Sequence, residues 1–224
     1  MPGKLTWDNV GEKLYETGTD RGVIYPYDTT RKAYGTGLAW SGLTGVTESP
    51  SGAEQTALYA DNIKYITLIS AEDFGGSIKC YMYPDAFKPC IGEKTIANGV
   101  TIGQQNRSTF GFSYRTLIGN DTEGTTYGYK IHLVYGCTAS VSDKDNTTVN
   151  DSPSANEMSF DFTSTPVNVS LDGCKPTAHV VIDSTGLSAA ALKAVEDLIY
   201  GSETADAKLP TPDEIVEAIT AAGE

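Results

Sequence analysis

An antiparallel β-sandwich or barrel, mainly β with a helical C-terminal appendage, is the fold class this sequence predicts. Three observations point there. Glycine is abundant, at 23 of 224 residues, and it punctuates short runs of β-forming side chains. Within those runs apolar and polar residues alternate, the period of a sheet with one buried side. From Thr185 onward the alternation stops and alanine-rich text with a helical period takes over.

In chain order, Met1-Pro2-Gly3-Lys4-Leu5-Thr6-Trp7-Asp8 is polar, lacks the apolar stretch of a secretory signal, and is expected to be an N-terminal arm. Residues 35–62 read as a long inter-strand loop rich in glycine and serine. Loops of that length inside a domain usually serve a function, and Trp40, Leu43, Val46, Leu58 and Tyr59 argue against plain disorder. Ile63 to Ile69 reads as a strand followed by Ser77 to Tyr83, with Asp73-Phe74-Gly75-Gly76 as the turn between them. Thr109 to Leu117 and Tyr127 to Tyr135 read as an antiparallel hairpin closed by the polar connector Gly119 to Gly124.

In that hairpin Tyr127, Tyr129, Ile131, Leu133 and Tyr135 share the face expected to be buried, with Gly128, Lys130, His132 and Val134 opposite. Phe110, Phe112 and Tyr114 form the aromatic face of the preceding strand, and cross-strand aromatic pairs contribute up to about 1 kcal/mol each. Met158 to Thr163 and Ala178 to Asp183 complete the strands.

The tail begins with Ser188 as N-cap of a helix whose face carries Leu192, Val195, Leu198 and Ile199. Thr211-Pro212-Asp213-Glu214 reads as a capping box with proline at the first helical position, and Ile215, Val216 and Ile219 supply a short stripe. The chain divides on this reading into a β domain, 1–184, and an acidic helical appendage, 185–224, that docks on a partner surface. The appendage holds 8 acids and 2 bases, so −6 of the net −13.

Composition narrows the function. Hydrophobic residues at 39% and charged residues at 20% suit a chain with a packed core. No run approaches the roughly 18 apolar residues of a membrane helix, so no membrane partner is expected. A net charge of −13 repels phosphate and disfavours gripping nucleic acid. Cys80, Cys90, Cys137 and Cys174 are too scattered for a CxxC pair and are expected to be free, mostly buried thiols.

No catalytic pattern occurs: there is no P-loop, no G-x-G-x-x-G, no H-E-x-x-H and no G-x-S-x-G elbow beside His132 or His179. Both histidines lie in expected strands and read as sheet-face residues, and two histidines without a CxxC pair offer no zinc-ligand motif. Asp143-Lys144-Asp145 begins like a calcium loop, but Thr148 and Ser154 stand where glycine and glutamate are needed. Glu72-Asp73 could be a hydrolase carboxylate pair, yet beside Gly75-Gly76 it reads as a turn. The 13 tyrosines would suit a carbohydrate-binding sandwich, but tyrosine is also simply a good strand residue. No catalytic residue, cofactor or metal ligand is therefore assigned.

The segment from Trp40 through Glu54 to Asn62 resembles the major tail protein of long-tailed, non-contractile bacteriophages of Gram-positive hosts. So do Tyr83-Pro84-Asp85-Ala86-Phe87, Ile102 to Arg107, Phe110 to Thr116, Gly128 to Gly136, Asn150-Asp151-Ser152-Pro153 and Leu209 to Glu214, in matching order. The resemblance implies a β-sandwich with a short flanking helix whose copies close, six at a time, into rings that stack as the tail tube. It implies a virion protein assembled in the host cytoplasm, with no enzymatic activity. Its partners would be itself and the tape-measure, tail-terminator and distal-tail proteins, and DNA would pass without specific binding. Six chains of −13 give about −78 per ring, which would keep DNA from adhering. Candidate contacts between subunits or rings are Trp40, Leu43, Val46, Glu48, Leu58 and Tyr59.

Overall fold

Asn120 ends one β run and Gly124 begins the next, and the residues between them reverse the chain. The Asn120 side-chain oxygen accepts from the backbone N–H of Thr122 at 3.1 Å and of Glu123 at 2.5 Å, while Gly124 takes φ +61°. The computed structural model describes residues 4–140, 143–149, 151 and 154–223. Of the strings named above, Met1, Pro2, Gly3, Asn150, Ser152 and Pro153 lie outside the described residues.

The first strands are β1 (Tyr15–Asp28), β2 (Ala33–Tyr34), β3 (Leu38–Trp40), β4 (Leu43–Glu48) and β5 (Ser51–Gly52). Then come β6 (Gln55–Ala60), β7 (Ile63–Ile69), β8 (Glu72–Asp73), β9 (Gly75–Cys80), β10 (Lys94–Ala97) and β11 (Val100–Ile102). The hairpin is β12 (Phe110–Asn120) and β13 (Gly124–Ala139), followed by β14 (Met158–Thr163) and β15 (His179–Asp183). Helices α1 (Ala189–Tyr200) and α2 (Pro212–Ala221) end the chain, and a 3₁₀ turn, Asp85–Ile91, precedes β10.

The fold is mainly antiparallel β. One layer is β1, β12 and β13, with β3 on the far side of β1 and β15 on β13 along Lys130 to Val134. At Gly136 φ is +59°, and a Cβ there would sit 2.5 Å from the Thr165 carbonyl, so only glycine fits. Beyond it β13 enters the second layer, where Thr138 and Ala139 pair with β14, β14 with β9, and β9 with β4. One strand thus belongs to both layers, as at the corner of a sandwich.

Between the layers lies an aromatic core of Trp40, Ile78, Phe87, Phe110, Phe112, Val134 and Phe162 with their neighbours. The 3₁₀ turn plugs one end of it with Phe87 and Cys90. Trp40 sits over Phe87 at 4.6 Å between ring centroids and its indole N–H donates to the Met82 carbonyl at 2.9 Å. Cys80, Cys90 and Cys137 are buried free thiols and Cys174 is an exposed one, as expected. Burial pushes Cys80 up to about 11 and Cys90 up to about 12, so both stay protonated and inert.

The opposite face of the first layer is buried as well. Val23, Tyr25, Ile131, Leu133, Tyr135 and Ile182 pack there against Val195, Ile199, Leu209 and Ile215 of the tail. The expectation of a sheet with one buried side is therefore corrected: Val134 and His132 are buried too, because a second sheet covers the face they share with Phe112 and Tyr114. The tyrosine face of β13 lies across from Ser113, Arg115 and Leu117, not from the phenylalanines.

The tail caps form as read, with Ser188 Oγ accepting from the Ala191 N–H and a complete capping box at Thr211 and Glu214. Its role as a separate appendage is overturned. Tyr25 donates to the Ile199 carbonyl and Tyr135 to the Pro210 carbonyl, both at 2.8 Å, so the helices form a third layer on their own chain. Burying Val195 and Ile199 is worth about 1.5–3 kcal/mol each, which an isolated tail would forgo.

Two further expectations change. Residues 35–62 are not a loop but contain β3 to β6, with Trp40 only 3% exposed. The expected turn Asp73-Phe74-Gly75-Gly76 does not join β7 to β9. β7 pairs with β6, and β9 pairs with β14 and β4. Gly75 and Gly76 are strand residues, present because a Cβ on Gly76 would collide with the Thr47 carbonyl.

Ile199→Ala should lower unfolding free energy by about 2–5 kcal/mol in urea titration, since its side chain is fully buried between sheet and helices. Deleting 185–224 should abolish the cooperative thermal transition in calorimetry, because it removes one wall of that core. Arg115 holds Asp20 in a two-pronged ion pair at 2.7 and 2.6 Å, and this hydrogen bonding keeps the Asp20 carboxyl below the ordinary value. Its contribution is present above the unfolded carboxyl value of about 3.9 and fades as pH falls through the depressed one. Asp20→Asn should therefore flatten the acid limb of a stability–pH profile, with little change in its shape above pH about 6.

Candidate functional site

Where β4 and β9 run out of partners, the chain continues as a two-stranded ribbon. β5 pairs with β8 and β6 with β7, so the ribbon rises from the β4–β9 pair. Asp61 and Asn62 close it with φ +51° and +64°, the signature of a two-residue I′ turn. At about 3.3 Å per residue the six residues of β6 span roughly 20 Å.

The ribbon is apolar on both faces and covered on neither. Leu58, Tyr59, Ile63, Tyr65, Ile66, Leu68 and Ile69 are all exposed, Tyr59 at 71% and Tyr65 at 75%. A lone hairpin is marginal in water, and a patch of this kind marks an interaction surface. The N-terminal arm presents a second exposed set, Leu5, Trp7, Val10 and Leu14. The arm is tied to the β12–β13 turn where the Gly11 N–H donates to Asp121 Oδ1 at 2.9 Å.

Of the six residues singled out in the sequence, Leu58 and Tyr59 lie on the exposed ribbon. Trp40 is core, and Leu43 and Val46 pack half-buried against that core. Glu48 sits at the ribbon's base facing two histidines. Ile63 to Ile69 was readable as a surface strand: Gln55 to Ala60 and Ile63 to Ile69 flank Asp61-Asn62, a hairpin signal, and apolar residues occupy both faces.

His132 on β13 and His179 on β15 meet although 47 residues separate them. Glu48 Oε1 is 3.2 Å from His132 Nδ1 and 3.5 Å from His179 Nε2, and the two ring nitrogens are 3.3 Å apart. Tyr114 donates its hydroxyl to Glu48, and Thr116 Oγ1 lies 3.0 Å from His132 Nε2. The rings stack: Tyr114 on His132 at 4.5 Å, His132 on His179 at 5.5 Å, and Phe74 on His179 at 4.5 Å. Burial lowers both imidazoles below the ordinary histidine value, against the pull of the Glu48 charge. Both histidines are thus sheet residues as expected, but no sequence spacing announces their meeting.

Several tyrosines serve the fold. Tyr25, Tyr114 and Tyr135 are buried and hydrogen-bonded inside the protein. Glu72 and Asp73 form β8 at the ribbon's base, paired with Gly52 and Ser51.

No curated protein matches the chain. Among solved structures it is similar to a subunit of the sheath–tube complex of an extracellular contractile injection system in its extended state, seen by cryo-electron microscopy. Identity there is 10% and the TM-score 0.30, covering 72% of this chain and 88% of that one, a likeness too weak to carry an argument. The family described as "Phage tail tube protein" matches residues 19–205, from within β1 to beyond α1. The chain belongs to the phage tail tube protein family, whose role in the virion tail is structural and not enzymatic.

Proposed function

We propose that copies of this chain close six at a time into rings, that the rings stack into the tail tube, and that DNA leaves the capsid through its bore. The observation that carries this reading is the ribbon of β5 to β8, which exposes large apolar residues on both faces and rises from an otherwise closed sandwich. Such a ribbon is stable only when another surface covers it, and a neighbouring copy in a homopolymer is always available to do so. The N-terminal arm, with Trp7 at 74% exposure, supplies a second bridge. Edge strands β4 and β15 carry backbone groups that a neighbour's strands can pair.

The acidity fits a conduit. A wall facing DNA must not bind it, and basic residues are few, 16 against 29 acids. Assembly takes place in the host cytoplasm, and the tube meets tape-measure, terminator and distal-tail proteins at its core and ends. The β domain of 1–184 and the helices of 185–224 act as one building block in this scheme.

Concentrated full-length protein should form rings or tubes of uniform diameter in negative-stain microscopy. Replacing Tyr59, Ile63 and Tyr65 together by serine should leave circular dichroism and the thermal transition intact, because none touches either core. The same variant should lose assembly and run as a monomer in light scattering. Tubes of normal length from that variant would overturn the ribbon's role, and a basic lumen in an image of the tube would overturn the charge argument.

A further inference from the structure

We propose that Glu48, His132 and His179 form a binding site for a divalent transition metal of the zinc class, which clamps the base of the ribbon to the main sheet. Three groups that bind zinc, two imidazole nitrogens and a carboxylate oxygen, converge here from β4, β13 and β15. Their mutual distances are 3.2, 3.3 and 3.5 Å. A tetrahedral ion with bonds of about 2.0–2.1 Å places its ligand atoms about 3.3–3.4 Å apart, so the triangle already has the size of one tetrahedral face. The fourth position is left to water.

The surroundings match what such a site needs. Thr116 Oγ1 can accept from His132 Nε2–H, which leaves the Nδ1 lone pair available to a metal. The Tyr114 hydroxyl fixes the Glu48 carboxylate, and stacking on Tyr114 and Phe74 fixes the two ring planes. Lys130, whose charge acts on His132, is paired with Glu16 at 2.6 Å. A surface cleft lined by Glu48, Phe74, Thr177 and His179 leads to the site, with Glu72 and Asp73 on its walls to draw a cation in.

The position gives the ion a purpose. Glu48 is the last residue of β4 before the ribbon, and Phe74, stacked on His179, immediately follows β8. Both legs of the ribbon are therefore gripped at this point. An ion bonded to Glu48 and to two strands of the first layer would fix the direction in which the ribbon leaves the sandwich.

The test uses the full chain stripped of metal by a chelator and titrated with cobalt(II), then zinc(II), in the presence of millimolar magnesium. The expected result is one equivalent of cobalt per chain, with the intense visible absorption of tetrahedral coordination, bleached by one equivalent of zinc, and a raised thermal midpoint. His179→Asn and Glu48→Gln, both at the cleft surface, should abolish the spectrum while circular dichroism stays native. Thr116→Val should keep one-to-one binding at about 10–100-fold lower affinity. Wild-type protein that shows no saturable cobalt spectrum would overturn the proposal, as would variants that keep it. Several weak equivalents displaced by magnesium would assign the binding to surface acids instead, and also overturn it. Because the readout is spectroscopic and made on unassembled chain, it stands apart from whether tubes form.

Discussion

A sheet layer covered on both faces buries side chains of both alternations through its middle, and that constraint governs the rest of this molecule. β12 and β13 are apolar on both sides through their middles, so Phe112, Tyr114 and Val134 require one cover while Ile131, Leu133 and Tyr135 require another. The second sheet supplies the first cover, and β13 reaches it only by turning at Gly136, where no other residue fits. The tail helices supply the second. Tyr25 and Tyr135, buried among apolar neighbours, direct their hydroxyls to carbonyls at the end of α1 and just before α2. These two bonds fix where the helices sit, because a buried hydroxyl without a partner costs about 1–3 kcal/mol.

With the middle of the central layer covered on both faces, much of the exposed apolar surface falls on extensions. The ribbon and the N-terminal arm carry the largest exposed apolar sets, and neither contributes to a core. That separation has a physical consequence for a structural polymer. The folded block is complete before assembly, so association need not reorganise it, and the cost of ordering is limited to slender elements. The ribbon's base lies close against the sandwich. Gly76 lets β9 approach the Thr47 carbonyl closely, and the Glu48–His132–His179 group lies beside it.

The parts of this architecture that the sequence displayed are those built from neighbours in the chain. The β12–β13 hairpin was legible because its turn chemistry and both strands lie within one short window. The two helix starts were legible because Ser188 and Thr211 cap them locally. The pairing of β9 with β4 and β14 was not, since those contacts join residues far apart and no local pattern specifies them. For the same reason Trp40 read as a loop contact and proved to be core, its partner Phe112 lying more than seventy residues away in number. The meeting of Glu48, His132 and His179 is the extreme case. Three strands bring them together, and spacing carries no trace of it.

The charge of the chain is better understood through its bases than its acids. Among the described residues Arg21, Arg31, Lys88, Arg115, Lys130, Lys193 and Lys208 each sit within 4 Å of a carboxylate. Those pairs partly offset seven of the 16 bases, and the acids exceed the bases by 13. A repulsive wall does not need every acid in the bore. It needs few unpaired cations there, because a single lysine–phosphate contact releases counterions and adds affinity, and contacts repeated around and along a polymer add together. The same repetition that makes a tube from weak subunit contacts would make a trap from weak DNA contacts. In a tube of the kind proposed, pairing cations within each subunit would weaken such contacts.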